Sequence, residues 1–434
     1  MQKKRGQKSW KKVKIALLGL GNVGKGVWNI LKTNKEAIIK RAGYDIEISK
    51  ILVKDINKQR GIEVPKELLT TDVEEIFNDD SIRIVVEVIG GLEPAKEYIL
   101  RSIRNKKHVI TANKMLIATN GKEIFKEAEK QGIIVNFEAS VAGGIPVINS
   151  INESLTANKI EEIVGIINGT TNYILTKMTL EGMSFEEALK EAQQKGYAEA
   201  DPTSDVEGYD AVYKLAILTT LAFETNVDVE DIYVEGITKI KAKDIEYAKE
   251  LGYVIKLLAI VKEVNEKLEL RVHPTMIPSI HPLANVNDSF NSIFIKGNAV
   301  GDLMLYGRGA GELPTGSAVV GDIISVVRNE GVPQIDKNYN NKEVAPVESI
   351  KSQYYLRISV KEKPGVLAKI TAILGENKVS ILSFIQKPKK GDFVSIVLVT
   401  YDTLEGNINK SIEEIKHLEV VDKIKSVIRI ENLS

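Results

Sequence analysis

The stretch DPTSDVEGYDAVYK, residues 201–214, gathers Asp201, Asp205, Asp210 and Lys214. Asp210 and Lys214 stand at i,i+4, one helical turn apart, and on spacing alone such a pair is a surface ion pair contributing ~0.2–0.5 kcal/mol. The residues that follow, LAILTTLAF, are too apolar for a helix lying in water on every side. A lysine at the head of a buried helix needs a partner, and Asp210 can supply it; such a lysine is a candidate proton donor or acceptor. A second lysine, Lys114 in VITANK, follows a strand-like run. A third feature is Gly19-Leu20-Gly21-Asn22-Val23-Gly24, a G-x-G-x-x-G between a strand-like and a helix-like segment. There Gly19 permits a tight turn, Gly21 lets backbone approach a pyrophosphate, and Gly24 lets strand and helix pack closely. The helix N-terminus then offers free N–H groups to the anion.

These residues need elements to hold them. VKIALLGLGNVGKGVWNILKTN reads as strand, turn and helix; IEISKILVKD, IRIVVEVIGG, KKHVITANK and GIIVNFEAS read as four more strands, separated by helical stretches. That alternation predicts a parallel, doubly wound α/β sheet over residues 13–140. Ligands of such sheets bind outside the carboxyl ends of the strands, where Lys114 falls, within reach of a nicotinamide or a carbonyl. The second strand ends in Lys54-Asp55 with Lys58 close by. An acid there favours NAD and a base favours NADP, and the sequence offers both, with the balance tilted to NADP or dual use.

Residues 141–307 read as an α+β domain: IEEIVGIINGTTNYIL is a strand turning into a helix, SFEEALKEAQQKG an amphipathic helix, and SFNSIFIKGN and VGDLMLYGRG strands. The segment 308–333 is expected to return to the first domain. Residues 334–352 are polar and read as a linker, and residues 353–434 carry the order βαββαβ of a ferredoxin-like unit.

The 434-residue chain has 43% hydrophobic and 27% charged residues, with Lys+Arg and Asp+Glu both at 59. No net field draws it to nucleic acid or membrane, and no apolar run approaches the ~20 residues of a membrane helix. With no cysteine, disulfides, thiolate catalysis and Cys-ligated metals are excluded. His108, His273, His281 and His417 have no ligand spacing and read as structural. The basic tip, residues 1–12, precedes a strand rather than a signal-peptide apolar core, and a cytoplasmic location is expected.

From Ala192 through Gly196, Asp201, Pro202, Asp205, Gly208 and Asp210 to Lys214, the pattern resembles the homoserine dehydrogenase signature. GLGNVG, GGLEPA, TANK, FEASVAGGIP, NGTTNYIL and YGRGAGELPTGSAVVGDI occur in that family's order. The resemblance covers residues 13–330 and implies a Rossmann-type domain followed by a substrate-binding and dimerisation domain. The C-terminal unit, whose first helix opens at Pro364-Gly365-Val366-Leu367, resembles an ACT domain. The chain begins at the dinucleotide-binding domain, so the kinase half of bifunctional relatives is not expected.

The resemblance implies NAD(P)-dependent interconversion of L-aspartate 4-semialdehyde and L-homoserine, in the branch towards threonine and methionine. It assigns the proton to Lys214, with Asp210 orienting it, and gives Lys114 a share in holding substrate and nicotinamide. Glu199 and Asp205 are matched to the substrate ammonium, and Gly169, Thr170 and Asn172 to its borders. Leu20, Gly21, Asn22 and Val23, with Ile89 and Gly90, are matched to the nucleotide, and Lys54 to its 2′-phosphate. Asp201 is left between capping a turn and binding substrate. Glu138 with the carbonyls of Val141, Gly143 and Ile145 resembles a Na⁺ loop. A homodimer or homotetramer is expected, with L-threonine as effector at the ACT-like unit; the rival is that this unit only assembles subunits. Two further alternatives are a related semialdehyde or aspartate dehydrogenase, against which the complete signature speaks, and a non-enzymatic sensor, which predicts a damaged turn or a missing lysine.

Overall fold

A computed structural model describes residues 10–329, 341–386 and 393–433. The basic tip up to residue 9, residues 330–333 of the expected return segment and residues 334–340 of the expected linker lie outside the described residues. The chain forms two units, one of residues 1–157, 216–229 and 305–340, the other of residues 158–215, 230–304 and 341–434.

The first unit is built on β1 (Lys11–Leu18), β2 (Tyr44–Leu52), β3 (Leu69–Thr70), β4 (Ile82–Glu87), β5 (His108–Thr111) and β6 (Val135–Asn136), in the order β3-β2-β1-β4-β5-β6. All neighbours run parallel. The expected doubly wound sheet is present. Near-continuous apolar runs suit strands covered on both faces: Ile15, Leu17, Val86 and Ile110 are buried against Val27 of the helix Asn22–Thr33 and Val319 and Ile323 of the helix Glu312–Asn329. Each such side chain contributes ~1.5–3 kcal/mol by leaving water. Asn29 Nδ2 donates to Glu312 Oε1 at 2.9 Å, joining those two helices. Strand β6 is shorter than GIIVNFEAS suggested, because a 3-10 turn at Glu138–Ser140 follows it.

The second unit is organised by β7 (Ile160–Ile166), β8 (Tyr233–Val234), β9 (Tyr253–Val264), β10 (Lys267–Pro278), β11 (Phe290–Gly297) and β12 (Gly301–Arg308). It continues with β13 (Lys351–Lys361), β14 (Ile381–Gln386), β15 (Phe393–Thr400), β16 (Thr403–Leu404) and β17 (Val421–Ile430). With helices Val366–Glu376 and Glu405–Lys416, the last five strands contain the expected βαββαβ order, around a core that includes Leu356, Ile370, Leu398 and Ile412. This module is not held by a tether alone. Strand β17 pairs in parallel with β10 at Thr275↔Arg429 and Met276↔Ile430, giving one sheet of order β12-β11-β7-β9-β10-β17-β13-β15-β14. Part of the expected linker is also paired: Leu268 N donates to Glu343 O and Ala345 N to Leu268 O. The β9–β10 hairpin, turning at Asn265 and Glu266 with φ of 51° and 66°, suits a two-residue type I′ connection.

Candidate active site

In the first unit, the glycine turn closes β1. Gly19 has φ +109°, a backbone that side chains other than glycine rarely adopt, and its N–H donates to Leu52 O at 3.0 Å. A Cβ on Gly24 would lie 2.4 Å from Gly19 O, so strand and helix meet there without room for a methyl group. A Cβ on Gly21 would meet no heavy atom within 4 Å. The turn therefore leaves space at the N-terminus of the helix Asn22–Thr33, whose first turn carries no acid and no side-chain cap, as an anionic ligand requires. Beyond β2, Lys54 and Asp55 are exposed. Asp55 Oδ1 accepts from Asn57 N at 2.8 Å, and Arg60 donates to the carbonyls of Asp55 and Lys58 at 2.6 and 2.7 Å. Arg60 is a third base in this loop that sequence reasoning passed over.

At the carboxyl ends of β4 and β5 sits a residue missed in the sequence, Glu87, with no exposed surface. Its Oε1 accepts from the amides of Ile89 at 2.8 Å and Gly90 at 3.1 Å, and its Oε2 from the Thr111 hydroxyl at 2.6 Å. Thr111 Oγ1 in turn accepts from Asn113 N at 3.0 Å. Asn113 donates from Nδ2 to Gly91 O at 2.6 Å and caps the helix Lys114–Gln131 through Leu116 N at 3.1 Å. One buried carboxylate thus fixes the Ile89–Gly90 turn and, through Thr111 and Asn113, the start of the helix that bears half-buried Lys114. An acid closing an otherwise apolar strand was the available signal.

Glu138 is 3% exposed; its oxygens accept from Ile148 N at 2.9 Å and Asn149 N at 2.7 Å, and its own N–H donates to Asp322 Oδ2 at 2.9 Å. Burial raises the Glu138 carboxyl above its ordinary range; burial, with Glu138 nearby, pushes Asp322 up to about 8. In the adjoining loop, Gly143 has φ +56°, Val141 N donates to Glu138 O at 3.3 Å, and Ile145 O accepts from Val147 N at 2.8 Å. Among the described residues no group of three or more His, Cys, Asp or Glu could hold a metal ion.

The second unit assembles the acids and the lysine of the opening stretch. Lys214, 9% exposed, donates from Nζ to Asp210 Oδ2 at 2.7 Å and to Ile167 O at 2.8 Å. Asp210 is 3% exposed. Asn168, between β7 and the helix Gly169–Glu181, donates from Nδ2 to Asp205 Oδ1 at 2.7 Å and to Asp210 Oδ2 at 2.8 Å. Its Oδ1 caps the helix by accepting from Thr171 N at 2.8 Å and Thr171 Oγ1 at 2.9 Å. Thr170 Oγ1 donates to Tyr197 O at 2.7 Å, and Gln193 Nε2 to Glu199 O at 3.1 Å. Those bonds hold the loop that exposes Glu199. A Cβ on Gly169 would lie 2.9 Å from Ser289 O.

Two residues of this unit take on structural contacts beyond those the sequence suggested. Asn172, 1% exposed, turns inward: its Nδ2 donates to Val286 O, Asp288 O and Phe290 O at 3.1, 3.0 and 3.1 Å. Lys256 Nζ donates to Asn172 Oδ1 at 3.2 Å, and burial brings that ammonium down to about 8. Asn172 thus anchors the loop 286–290. Asp201 accepts from Thr203 N at 3.1 Å and Thr203 Oγ1 at 2.6 Å, which makes it a turn cap. The histidines occupy structural positions. His108 and His281 accept backbone amides, His273 is fully buried beside Thr275, and His417 caps a helix end.

No helix among the described residues is long and apolar enough to cross a membrane. Three family models match in succession: the NAD binding domain of homoserine dehydrogenase over residues 19–138, homoserine dehydrogenase over 146–324, and the ACT domain over 354–420. The chain is 44% identical to a homoserine dehydrogenase of Bacillus subtilis, covering 97% of this chain and 99% of that one. It is 46% identical to one of Synechocystis, covering 96% and 99%. The crystal structure of a homoserine dehydrogenase from Thiobacillus denitrificans superposes with a TM-score of 0.93 at 44% identity, over 98% of this chain and 100% of that one. A hyperthermophilic archaeal homoserine dehydrogenase in complex with NADPH superposes with a TM-score of 0.61 at 28% identity, over 72% and 97%. With the glycine turn and the lysine–carboxylate cluster in place, the chain belongs to the homoserine dehydrogenase family of NAD(P)-dependent oxidoreductases.

Proposed function

We propose that Lys214 is the proton-transferring group in the interconversion of L-aspartate 4-semialdehyde and L-homoserine. The observation that carries this is Lys214 itself, 9% exposed, with Nζ held at 2.7 Å by Asp210 Oδ2 and at 2.8 Å by Ile167 O. A bound nicotinamide supplies or accepts the hydride at the substrate carbon. When the aldehyde is reduced, Lys214 gives a proton to the oxygen that becomes the alcohol; in oxidation it takes that proton back. Asp210 fixes the direction of Nζ and balances its charge. Asp205 and Glu199 receive the substrate ammonium, a cation whose charge the site must balance as it leaves bulk water. Thr170 and Gly169 border the substrate, and Lys114 holds substrate and nicotinamide in register.

Leu20, Gly21, Asn22 and Val23 would hold the nucleotide phosphates, with Gly19 and Gly24 shaping the turn, and Ile89 and Gly90 would border its ribose. Lys54, with Lys58 and Arg60 in the same loop, supports NADP, and Asp55 supports NAD; we infer use of both. Na⁺ would be held by Glu138 with carbonyls of Val141, Gly143 and Ile145, an oxygen set suited to a hard cation. It is supported by the burial of Glu138, whose carboxyl oxygens are turned into this loop and accept from the amides of Ile148 and Asn149.

The test follows NAD(P)H loss with aspartate semialdehyde, run with each nucleotide. Lys214→Ala and Lys214→Arg are both expected to lose about 10²–10⁴-fold in kcat, with nucleotide binding retained. The arginine keeps the charge and cannot give up its proton, so full activity in either variant overturns the assignment.

The ACT module supports regulation by a small amino acid, with L-threonine as the effector consistent with this branch of metabolism. Its strand β17 is paired directly with β10 of the substrate-binding part. Turnover is expected to fall as L-threonine is titrated; unchanged turnover at saturating threonine leaves the module an assembly element.

A further inference from the structure

We propose that Asn168 is a positioning residue of the reaction: one carboxamide that sets the geometry of both active-site aspartates, and through Asp210 that of Lys214. The inference rests on the assignment of Lys214 as the proton-transferring group.

The orientation of this amide is chemically forced. On one side stand two donors, the Thr171 N–H and hydroxyl, so that side must be Oδ1. On the other side stand two carboxylate oxygens, Asp205 Oδ1 and Asp210 Oδ2, so that side must be Nδ2. An amide nitrogen has two hydrogens, and here each goes to a different acid. The same oxygen of Asp210 also receives Lys214 Nζ. The residue before Asn168 also supplies an acceptor to that ammonium, the Ile167 carbonyl. Two consecutive residues at the end of β7 therefore define the place of Lys214, one directly and one through Asp210.

The chemistry explains why an amide stands here. Asp205 and Asp210 both have an oxygen within 2.8 Å of one nitrogen, and two carboxylates so close repel each other. A neutral donor of two hydrogen bonds holds them together without adding a positive charge that would compete with the substrate ammonium. A lysine or arginine in its place would satisfy the acids and thereby disarm them. Asn168 also caps the helix Gly169–Glu181, and capping alone would explain an asparagine here. The two roles use opposite ends of the amide, which makes them separable.

Asn168→Ser retains an oxygen able to cap Thr171 N and removes the donor to both acids. Asn168→Asp retains the cap in an isosteric side chain and turns a carboxylate oxygen toward Asp205 and Asp210, adding a third acid to the cluster. A capping residue predicts that both variants melt and turn over like the parent, since serine and aspartate are good caps. The positioning role predicts that kcat per titrated nucleotide site falls about a hundredfold in Asn168→Ser, the scale set by small misplacements of reacting groups. It predicts a larger fall in Asn168→Asp, with the KM for nucleotide unchanged and the melting temperature retained in both. Parental kcat in either folded variant overturns the proposal. If Lys214→Ala proves active, the underlying assignment fails instead; if Lys214→Ala is inactive while Asn168→Asp matches the parent, only the role of Asn168 falls.

Discussion

Two clusters of buried charge in the second unit differ in their main cations. At the β7 end, Lys214 meets Asp210, and Asn168 ties Asp210 to Asp205. Where the ACT module joins the substrate-binding part, three arginines serve, with Lys262 beside Arg271 at Glu431. Arg357 of β13 makes a two-pronged pair with Asp244 at 2.7 and 2.9 Å, joined by the Tyr355 hydroxyl at 3.1 Å. Arg429 of β17 binds Glu405, Glu235 at 3.0 Å and the Tyr233 hydroxyl at 2.8 Å. Arg271 of β10 meets Glu431 at 2.9 Å. Both regions satisfy the same rule, that a buried charge needs a partner. An arginine fork cannot be deprotonated in a protein and fixes two oxygens at once, so it suits a joint. A lysine ammonium can release a proton, so it suits a site. The placement differs in the same sense: Asp244 and Arg271 are 0% and 1% exposed, whereas the lysine cluster adjoins half-buried Asp205 and exposed Glu199. A buried ion pair alone does not mark an active site; its chemistry and its access do.

Breaking the joint should cost stability and spare the chemistry. Asp244→Ala leaves Arg357 buried without its partner and is expected to destabilise the second unit by about 3–5 kcal/mol, read from the midpoint of chemical unfolding. The kcat of the molecules that stay folded should match the parent. Arg357→Lys keeps the charge and loses the fork, for a loss of about 2 kcal/mol. The contrast with Lys214→Arg is the point of the experiment, because the same exchange in reverse is expected to leave stability and remove turnover. If Asp244→Ala lowers kcat as strongly as Lys214→Arg does, the division into joint and site is wrong.

The parts legible in the sequence were those carried by local pattern. The glycine turn lies between a strand and a helix, and Asp210 and Lys214 share one helical turn ahead of an apolar run. What escaped depends on distant partners. Asn168 looks like a turn residue until Asp205 and Asp210, 37 and 42 positions later, fold back on it. Glu87 acquires its role from Thr111, 24 positions away. The β9–β10 hairpin went unread because YVIKLLAIVKEV is apolar on both faces, and periodicity alone cannot tell such a strand from a buried helix. The pairing of β17 with β10 joins residues near 275 and 429, and no local signal encodes it.

Acid titration probes the joint more gently. Glu431, 6% exposed, accepts from Lys262 at 3.0 Å as well as meeting Arg271. Burial opposes its ionisation, but Arg271 and Lys262 outweigh burial and hold the carboxyl below its usual range. A carboxyl with a lowered pKa in the folded chain stabilises it at every pH above the unfolded value of ~4.3. That contribution is lost as pH falls through the folded value. Glu431→Gln should therefore be less stable than the parent at neutral pH, and the gap should close as pH drops below about 4. The measurement is the unfolding midpoint of both proteins across that range. A gap that stays constant with pH would mean that the carboxamide loses only shape and hydrogen bonds. The ionised carboxylate would then contribute nothing, and the joint would be held by packing and strand pairing alone.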